Sequence, residues 1–138
     1  MSISAIEQQI AAVVSGVVSI KKTYTYPVAE IGRLLPALVV VYDGFSQEPA
    51  AGKSTDTAWR FEFTLFLPAE GKTLEKNWTD LKALVPALLT AFRTNPGLNG
   101  ACWTSIIEAG DPIIHIPSPA EQPQFIGHSF RLVAKKEE

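Results

Sequence analysis

Hydrophobic residues follow a helical spacing in two parts of the chain. Near the N-terminus they recur every three or four positions, which is typical of a helix that buries one face. This stripe consists of Ile3, Ile6, Ile10, Val13, Val14 and Val17. A second helix is predicted over residues 74–94, with a stripe of Leu74, Trp78, Leu81, Val85, Leu88 and Phe92. We expect Gly16 to end the first helix and Pro86 to kink or break the second.

Other segments are typical of β-strands. Residues 58–67 alternate strictly between an apolar side and a mostly polar side. The apolar side consists of Trp59, Phe61, Phe63, Leu65 and Leu67. Residues 37–42 are apolar at both parities, which predicts a strand that is buried on both faces. Strands are also predicted at 101–109 and 125–134, and a short run at 112–117 could form one more.

The order of these elements predicts the class of fold. A helix, two strands, a helix and two or three strands favour an α+β domain, with a small, mostly antiparallel sheet and both main helices on one face. The length of 138 residues predicts a single domain over 1–138. Turn-forming residues fill segment 43–57, which predicts a long loop or the tip of a projecting hairpin. The charged tail at 135–138 is expected to fray.

The polar side of residues 58–67 raises the main functional question. Arg60, Glu62 and Thr64 share this side, and Ser129 and Arg131 of the last strand are expected on the same sheet face. Because both helices are expected on the opposite face, no predicted element covers these residues. This face could therefore meet water, a ligand or another copy of the chain.

Composition excludes several classes of protein. Twelve basic and fourteen acidic residues give a net charge of −2, whereas proteins that bind nucleic acid on their own normally carry a basic excess. The single cysteine, Cys102, cannot form an internal disulfide, which indicates a reducing compartment or no need for bridges. We predict neither a signal peptide nor a transmembrane helix. Three tryptophans, Trp59, Trp78 and Trp103, are expected to pack in the core.

Two short segments carry part of a phosphate-binding loop motif, AAGKST at 50–55 and EGKT at 70–73. A complete motif needs an earlier glycine, so that the neighbouring backbone amides can wrap the phosphates. Gln47 and Phe66 stand at the required positions. The sequence therefore predicts no nucleotide-binding site.

Residues suited to catalysis or metal binding are sparse. His115 and His128 are the only histidines, and neither has the closely spaced partners that a metal site requires. Cys102 has no histidine near it in sequence and is expected to be a buried thiol. Glu108 and Asp111 bracket a predicted turn without further catalytic neighbours. We therefore predict no enzyme activity, cofactor or metal site.

Four segments, together with the short apolar N-terminal helix, carry a likeness to a known group of proteins. They are YPVAEIGRLLPALVVVY, WRFEFTLFLP, ALLTAFRTNPGLNGA and IGHSFRLVA. In these segments and their order, the chain resembles the tail terminator proteins of long non-contractile-tailed bacteriophages. These belong to the broader group of phage head–tail joining and tail-completion proteins. The resemblance spans nearly the whole chain, and Pro86 is its one departure from a clean helix.

The resemblance implies a structural protein of the virion rather than an enzyme. Such proteins assemble as a hexameric ring on the end of the tail tube, stop its polymerisation and form the joint to the head connector. The implied partners are other copies of the chain, the major tail tube protein, a head–tail connector or stopper protein and the tape-measure protein. DNA is implied only as cargo that passes through the ring, and assembly takes place in the cytoplasm of the bacterial host.

Seven residues become candidates for subunit interfaces or the channel under this hypothesis. They are Phe45, Lys53, Arg60, Glu62, Thr64, Ser129 and Arg131. The competing interpretation of these residues is an ordinary solvated surface. Two other functions stay open: a head-completion or connector protein of the same neck region, and a small-molecule-binding α+β module. The last would need a pocket that includes His115, His128 or Cys102.

Overall fold

The computed structural model describes residues 2–27, 35–49, 55–68, 74–115 and 125–137. Its elements in chain order are α1 (Ser2–Ser15), β1 (Lys22–Tyr24), β2 (Ala37–Pro49), β3 (Thr55–Pro68), α2 (Leu74–Arg93), a 3-10 turn (Leu98–Gly100), β4 (Thr104–His115) and β5 (Phe125–Glu137). This composition confirms the predicted α+β class. Strand β1 was not anticipated, because three residues are too few to show an alternating pattern.

The five strands form one sheet in the order β1-β2-β3-β5-β4. Strand β1 is parallel to β2, and the other three pairings are antiparallel, as predicted for a mostly antiparallel sheet. Two short strands were predicted at 101–109 and 112–117. The structure instead has one continuous strand, β4, from Thr104 to His115. A bulge between Ile107 and Ala109 interrupts its register with β5.

Both helices pack on the same face of the sheet, which we call the helix side. Phe63 at the centre of β3 is fully buried, with its ring centroid 4.9 Å from that of Phe130 and 5.1 Å from that of Phe92. Helix α1 contributes three fully buried residues to the same cluster, namely Ile6, Ile10 and Val14. The apolar stripes predicted for the two helices and for β3 therefore meet in one core.

The predicted helix ends are partly correct. Helix α1 ends at Ser15, and Gly16 lies in the following turn, where its N–H donates to Ala12 O at 3.2 Å. Helix α2 contains Pro86 without a break. Pro86 lacks the N–H that would bond to the carbonyl of Lys82. Both residues are exposed, so the missing hydrogen bond falls on the solvent side of the helix.

The predicted loop at 43–57 is largely strand, which corrects that expectation and favours its hairpin alternative. The β2–β3 ladder extends to Pro49 paired with Thr55, and the tip at 50–54 lies outside the described residues. Gly44, with φ of +95°, occupies a bulge between Tyr42 and Phe45 and takes a backbone angle that favours glycine.

The described part of the charged tail at 135–138 belongs to the sheet. Strand β5 extends to Glu137, and its last residues pair with 56–58 of β3. Charged residues can occupy a strand end when the neighbouring strand satisfies their backbone groups.

The opposite face of the sheet, which we call the far face, carries a second cluster at one end. Its buried members are Leu35, Ala37, Val39 and Phe66. Residues 37–40 of β2 are therefore buried on both faces, as predicted, whereas Val41 is half-buried and Tyr42 is 36% exposed. The change from buried to exposed falls in the middle of a continuous strand.

Candidate interaction surface

The outer half of the β2–β3 hairpin is exposed along most of its β2 strand. We call this half, residues 41–49 of β2 and 55–60 of β3, the distal hairpin. Within it, Gln47 Nε2 donates a hydrogen bond to Thr57 Oγ1 at 3.1 Å, and Thr57 is fully buried. Strand β5 pairs with the β3 side of the distal hairpin. Among the described strands, none pairs with the outer side of β2 beyond Val39.

Three aromatic residues form a patch on the helix side of the distal hairpin. The ring of Trp59 lies 5.4 Å from that of Phe45 and 6.1 Å from that of Tyr42, measured between centroids. Phe45 is 53% exposed and Tyr42 is 36% exposed. We call Tyr42, Phe45 and Trp59 the aromatic patch. Exposed aromatic residues in contact with one another are typical of protein–protein interfaces.

The indole N–H of Trp59 adds a polar feature to this patch. The Nε1 atom is buried and has no hydrogen-bond partner within the described part of the chain. A buried donor without a partner costs about 1–3 kcal/mol. The exposed rings of Tyr42 and Phe45, rather than this buried atom, are the part of the patch that a partner can reach.

The far face brings together the five polar residues predicted there. Glu62 of β3 pairs in register with Arg131 of β5, and Thr64 pairs with Ser129. Arg60 lies on the same face, two residues before Glu62 along β3, and its guanidinium donates a hydrogen bond to Ser46 Oγ at 3.0 Å. Arg131 is exposed, and Glu62 and Arg60 are half-buried. The alternation of the two strands thus placed these residues correctly on one face.

Thr64 and Ser129 nevertheless differ from the expectation of an uncovered face. Thr64 is 8% exposed and Ser129 is 9% exposed, so both are buried within the single chain. They lie next to the far-face cluster, where Thr64 pairs with Val39, and Ser129 Oγ donates to Asp111 O at 3.3 Å. Because their side chains are short, larger neighbours shield them. Of the five predicted polar residues, Arg60, Glu62 and Arg131 are the ones that reach solvent.

Phe45, one of the two candidates from segment 43–57, does not join this polar group. Phe45 lies on the helix side, opposite to the far face, because its register partner is Trp59. Lys53 lies outside the described residues. The seven predicted residues therefore do not form one site.

Two large apolar residues near the start of β4 were missed by sequence reasoning. Trp103 is 57% exposed, which corrects its predicted place in the core. It lies in the turn before β4, and its N–H donates to Lys135 O at 2.9 Å. Ile106 is 63% exposed on the far face. The glycine-rich turn before Trp103 was the available sequence signal that the core-facing pattern stops there. Trp59 and Trp78 are half-buried and pack against the buried clusters.

A groove of about 330 Å³ lies between α2 and the bulge in β4. Its apolar lining includes Val85, Leu89, Ile107 and Phe130, and Glu108 and His128 also line it. His128 Nδ1 lies 2.8 Å from Ser129 O, so the tautomer with a proton on Nδ1 donates a hydrogen bond there. This arrangement offers one imidazole and one carboxylate in an apolar setting.

Cys102 and His115 are the remaining candidates for chemistry. Cys102 is buried, as expected, with its thiol 3.6 Å from Pro96 O. The side chain of His115 lies outside the described residues. In the described ranges, no three His, Cys, Asp or Glu residues are grouped so that they could hold a metal ion. Within the same ranges, no helix is long and apolar enough to cross a membrane.

Comparisons with known proteins give structural likenesses but no sequence match. No protein-family model matches the chain, and no curated protein matches its sequence significantly. Among solved structures, the chain is similar to a chain of a particle described as "Virion of native gene transfer agent (GTA) particle". The match has 14% sequence identity and a TM-score of 0.46, and it covers 98% of this chain and 93% of that chain. A likeness of this degree does not assign a function.

Proposed function

We propose that this chain is a structural virion protein that forms a ring on the end of a phage tail tube. The ring stops polymerisation of the tube and provides the joint to the head connector. The proposal rests first on the sequence resemblance to tail terminator proteins. Its partners are then other copies of the chain in a hexamer, the tube protein, a connector or stopper protein and the tape-measure protein. The protein acts in the virion after assembly in the host cytoplasm, and it has no catalytic role.

The observation that best supports an assembly role is the exposed aromatic patch on the distal hairpin. A ring made of identical subunits uses two different patches on each subunit, because each contact joins unlike surfaces. The exposed β2 strand of the distal hairpin can contact a neighbouring subunit. Phe45 and Tyr42 then lose their exposed area to that neighbour.

The charges of the far face suit the passage of DNA. Glu62 pairs in register with Arg131, so this part of the far face carries both negative and positive charge. A channel that binds phosphates tightly would need a basic lining. We assign Arg60, Glu62 and Arg131 to the channel or to a subunit contact that borders it.

A direct test is electron microscopy of the purified protein, alone and with tail tubes assembled from the tube protein encoded in the same gene cluster. Closed rings that cap the tubes are expected. Phe45→Ala should weaken capping, while Phe45→Leu, which keeps an apolar contact, should retain most of it. A wild-type protein that stays monomeric and never associates with tubes would contradict the proposal.

Two alternatives have specific discriminators. A head-completion or connector protein would bind the portal or connector proteins and leave tube ends uncapped. The small-molecule module is favoured by the groove between α2 and β4, since it contains His128 beside apolar residues. Binding of a small ligand that protects His128 from chemical modification would favour that function over ring formation.

A further inference from the structure

The two outer strands of the sheet carry opposite charges. At one edge, Lys21 and Lys22 are exposed on and beside β1, and at the other edge Glu108 and Asp111 are exposed on β4. None of these four side chains forms an ion pair within the described residues. The nearest charge-related contact of Lys22 is with the ring of Tyr24, whose centroid lies 5.5 Å from Nζ. Both charge pairs are therefore available to another molecule.

The directions of the strands allow the two edges to meet when copies of the chain are placed side by side. Strands β1 and β2 are parallel, and each of the steps from β2 to β3, β5 and β4 reverses direction. Strand β4 therefore runs antiparallel to β1. In a ring, subunits keep the same orientation, so β4 of one subunit would lie antiparallel to β1 of the next.

The nature of edge β4 determines the kind of contact. Pro112 has no N–H, and Glu108 lies at the bulge between Ile107 and Ala109. Both features limit a long hydrogen-bonded ladder with another strand. A contact at this edge is therefore made chiefly by side chains.

Each edge also presents a large apolar side chain. Ile106 on β4 is 63% exposed, and Tyr26, two residues after β1, is 57% exposed. Apolar area beside paired charges is the usual composition of a protein interface.

We propose that neighbouring subunits join head to tail, with Glu108 and Asp111 of one copy against Lys21 and Lys22 of the next. This inference rests on the ring in the proposed function and adds a second contact between neighbouring subunits, besides that of the distal hairpin. Opposite charges select this arrangement, since two β4 edges or two β1 edges placed together would bring like charges into contact. Exposed pairs are screened by salt, so assembly should weaken as ionic strength rises.

Two charge-reversed variants test the contact. K21E/K22E makes both edges acidic, and E108K/D111K makes both edges basic. Each variant alone should stay monomeric in sedimentation velocity, with an apparent dissociation constant raised at least about tenfold, because like charges then face each other. Matched controls with the same change of charge on exposed positions of α2, K76E/K82E and E75K/D80K, should assemble like the wild type.

Mixing the two variants gives the decisive measurement. An acidic-edged subunit can bind a basic-edged subunit at both of its edges, so an equimolar mixture should form rings in which the two alternate. A chain that carries all four substitutions should form rings with itself but not with the wild type. Circular dichroism of each variant checks that it is folded.

The outcomes separate this inference from the proposed function. If both variants assemble alone as well as the wild type, the edge contact is overturned, while tube capping by the same rings would leave the proposed function standing. If only the mixture assembles but the rings never cap tubes, the edge contact is supported and the proposed function fails. A wild-type chain that is monomeric with and without tubes overturns both.

Discussion

The β2–β3 hairpin has two halves with the same hydrogen-bonded ladder and opposite environments. At its base, Val40 and Phe63 pair in register and are completely buried under the helices. In the distal half, Phe45 and Trp59 pair on the same side of the sheet, yet Phe45 is 53% exposed. Apolar side chains on one side of a ladder are buried only as far as other elements cover them.

The two halves of the hairpin therefore have different roles: burial at the base stabilises the fold, and the exposed area of the distal half can bind a partner. The base contributes apolar burial to folding of the single chain, at roughly 25 cal/mol per Å² removed from water. The aromatic patch of the distal half keeps much of its apolar area exposed, and this area is available for a partner. Substitutions in the two halves should therefore have different consequences, and the following predictions test this from the largest effect to the smallest.

Truncation of the central aromatic residue at the base should have the largest effect. Phe63→Ala removes a ring that stacks on both Phe92 and Phe130, and we expect a loss of about 3–5 kcal/mol in the free energy of unfolding. Urea denaturation followed by circular dichroism measures this. Phe45→Ala in the distal half is the matched control and should change stability by less than about 1 kcal/mol. Equal losses in the two variants would refute the distinction between the halves.

Gly127 of β5, which pairs with Phe66 beside the base of the hairpin, should also resist substitution. A Cβ atom on Gly127 would lie 2.8 Å from Leu65 O and 3.0 Å from Phe66 Cδ1. Gly127→Ala should therefore cost about 1–3 kcal/mol through displacement of β5 from β3. At Gly97 an added Cβ would meet Cys102 O at an ordinary 3.5 Å. Gly97→Ala should be nearly neutral in the same unfolding experiment, and a larger effect there than at Gly127 would contradict the packing argument.

In the distal half, the hydrogen bond between Gln47 and the buried Thr57 should have an intermediate effect. Thr57→Val keeps the size of the side chain but removes the hydroxyl that accepts the hydrogen bond from Gln47. We expect a loss of about 0.5–1.5 kcal/mol. Adding Gln47→Ala should cost little more, because the shared hydrogen bond is already gone. Fully additive losses in this double-mutant cycle would mean that the two side chains do not stabilise each other.

The smallest effect is expected at Glu7 of α1, away from the hairpin. Partial burial raises the pKa of the Glu7 carboxyl in the folded protein. The folded state then binds more protons than the unfolded state between the usual carboxyl pKa and the raised value. The contribution of Glu7 to the free energy of unfolding is therefore lost as the pH rises from the usual carboxyl pKa through the raised pKa.

Glu7→Gln removes this dependence, so the variant should be slightly more stable than the wild type at neutral pH. Below the usual glutamate pKa of about 4.3 the difference should vanish, because the wild-type carboxyl is then protonated in both states. Thermal melts at the two pH values measure the difference. A variant less stable than the wild type at neutral pH would mean that the charged carboxylate is stabilised in the fold.

Much of the architecture was predictable because it depends on local periodicity. The stripes of α1 and α2 and the alternation of β3 are determined by side-chain spacing, and all three meet in the core. The extent of the hairpin was not predictable in the same way. Turn-forming residues in 43–49 are part of a strand because β3 pairs with this segment, and the paired residues lie from 6 positions (Pro49 and Thr55) to 14 positions (Phe45 and Trp59) apart in the chain.

The polar residues of the far face were likewise only partly predictable from the sequence. By alternation, Arg60, Glu62, Thr64, Ser129 and Arg131 were assigned to one face, and the register of β3 and β5 places them there. Burial of Thr64 and Ser129 depends on neighbours from other elements, including Val39 and Asp111. The opposed charges on β1 and β4 became visible only with the strand order.

By itself, the sequence determined the class of fold and which residues share a face, because these follow from the geometry of helix and strand over a few residues. Only the tertiary structure decided which parts of each face are covered, since coverage depends on elements that are distant in the chain. The strand that includes Trp59 to Leu67 illustrates this: its polar and apolar sides could be assigned from the alternation. The exposed aromatic patch at one end and the buried Thr64 near the other result from packing against the rest of the molecule.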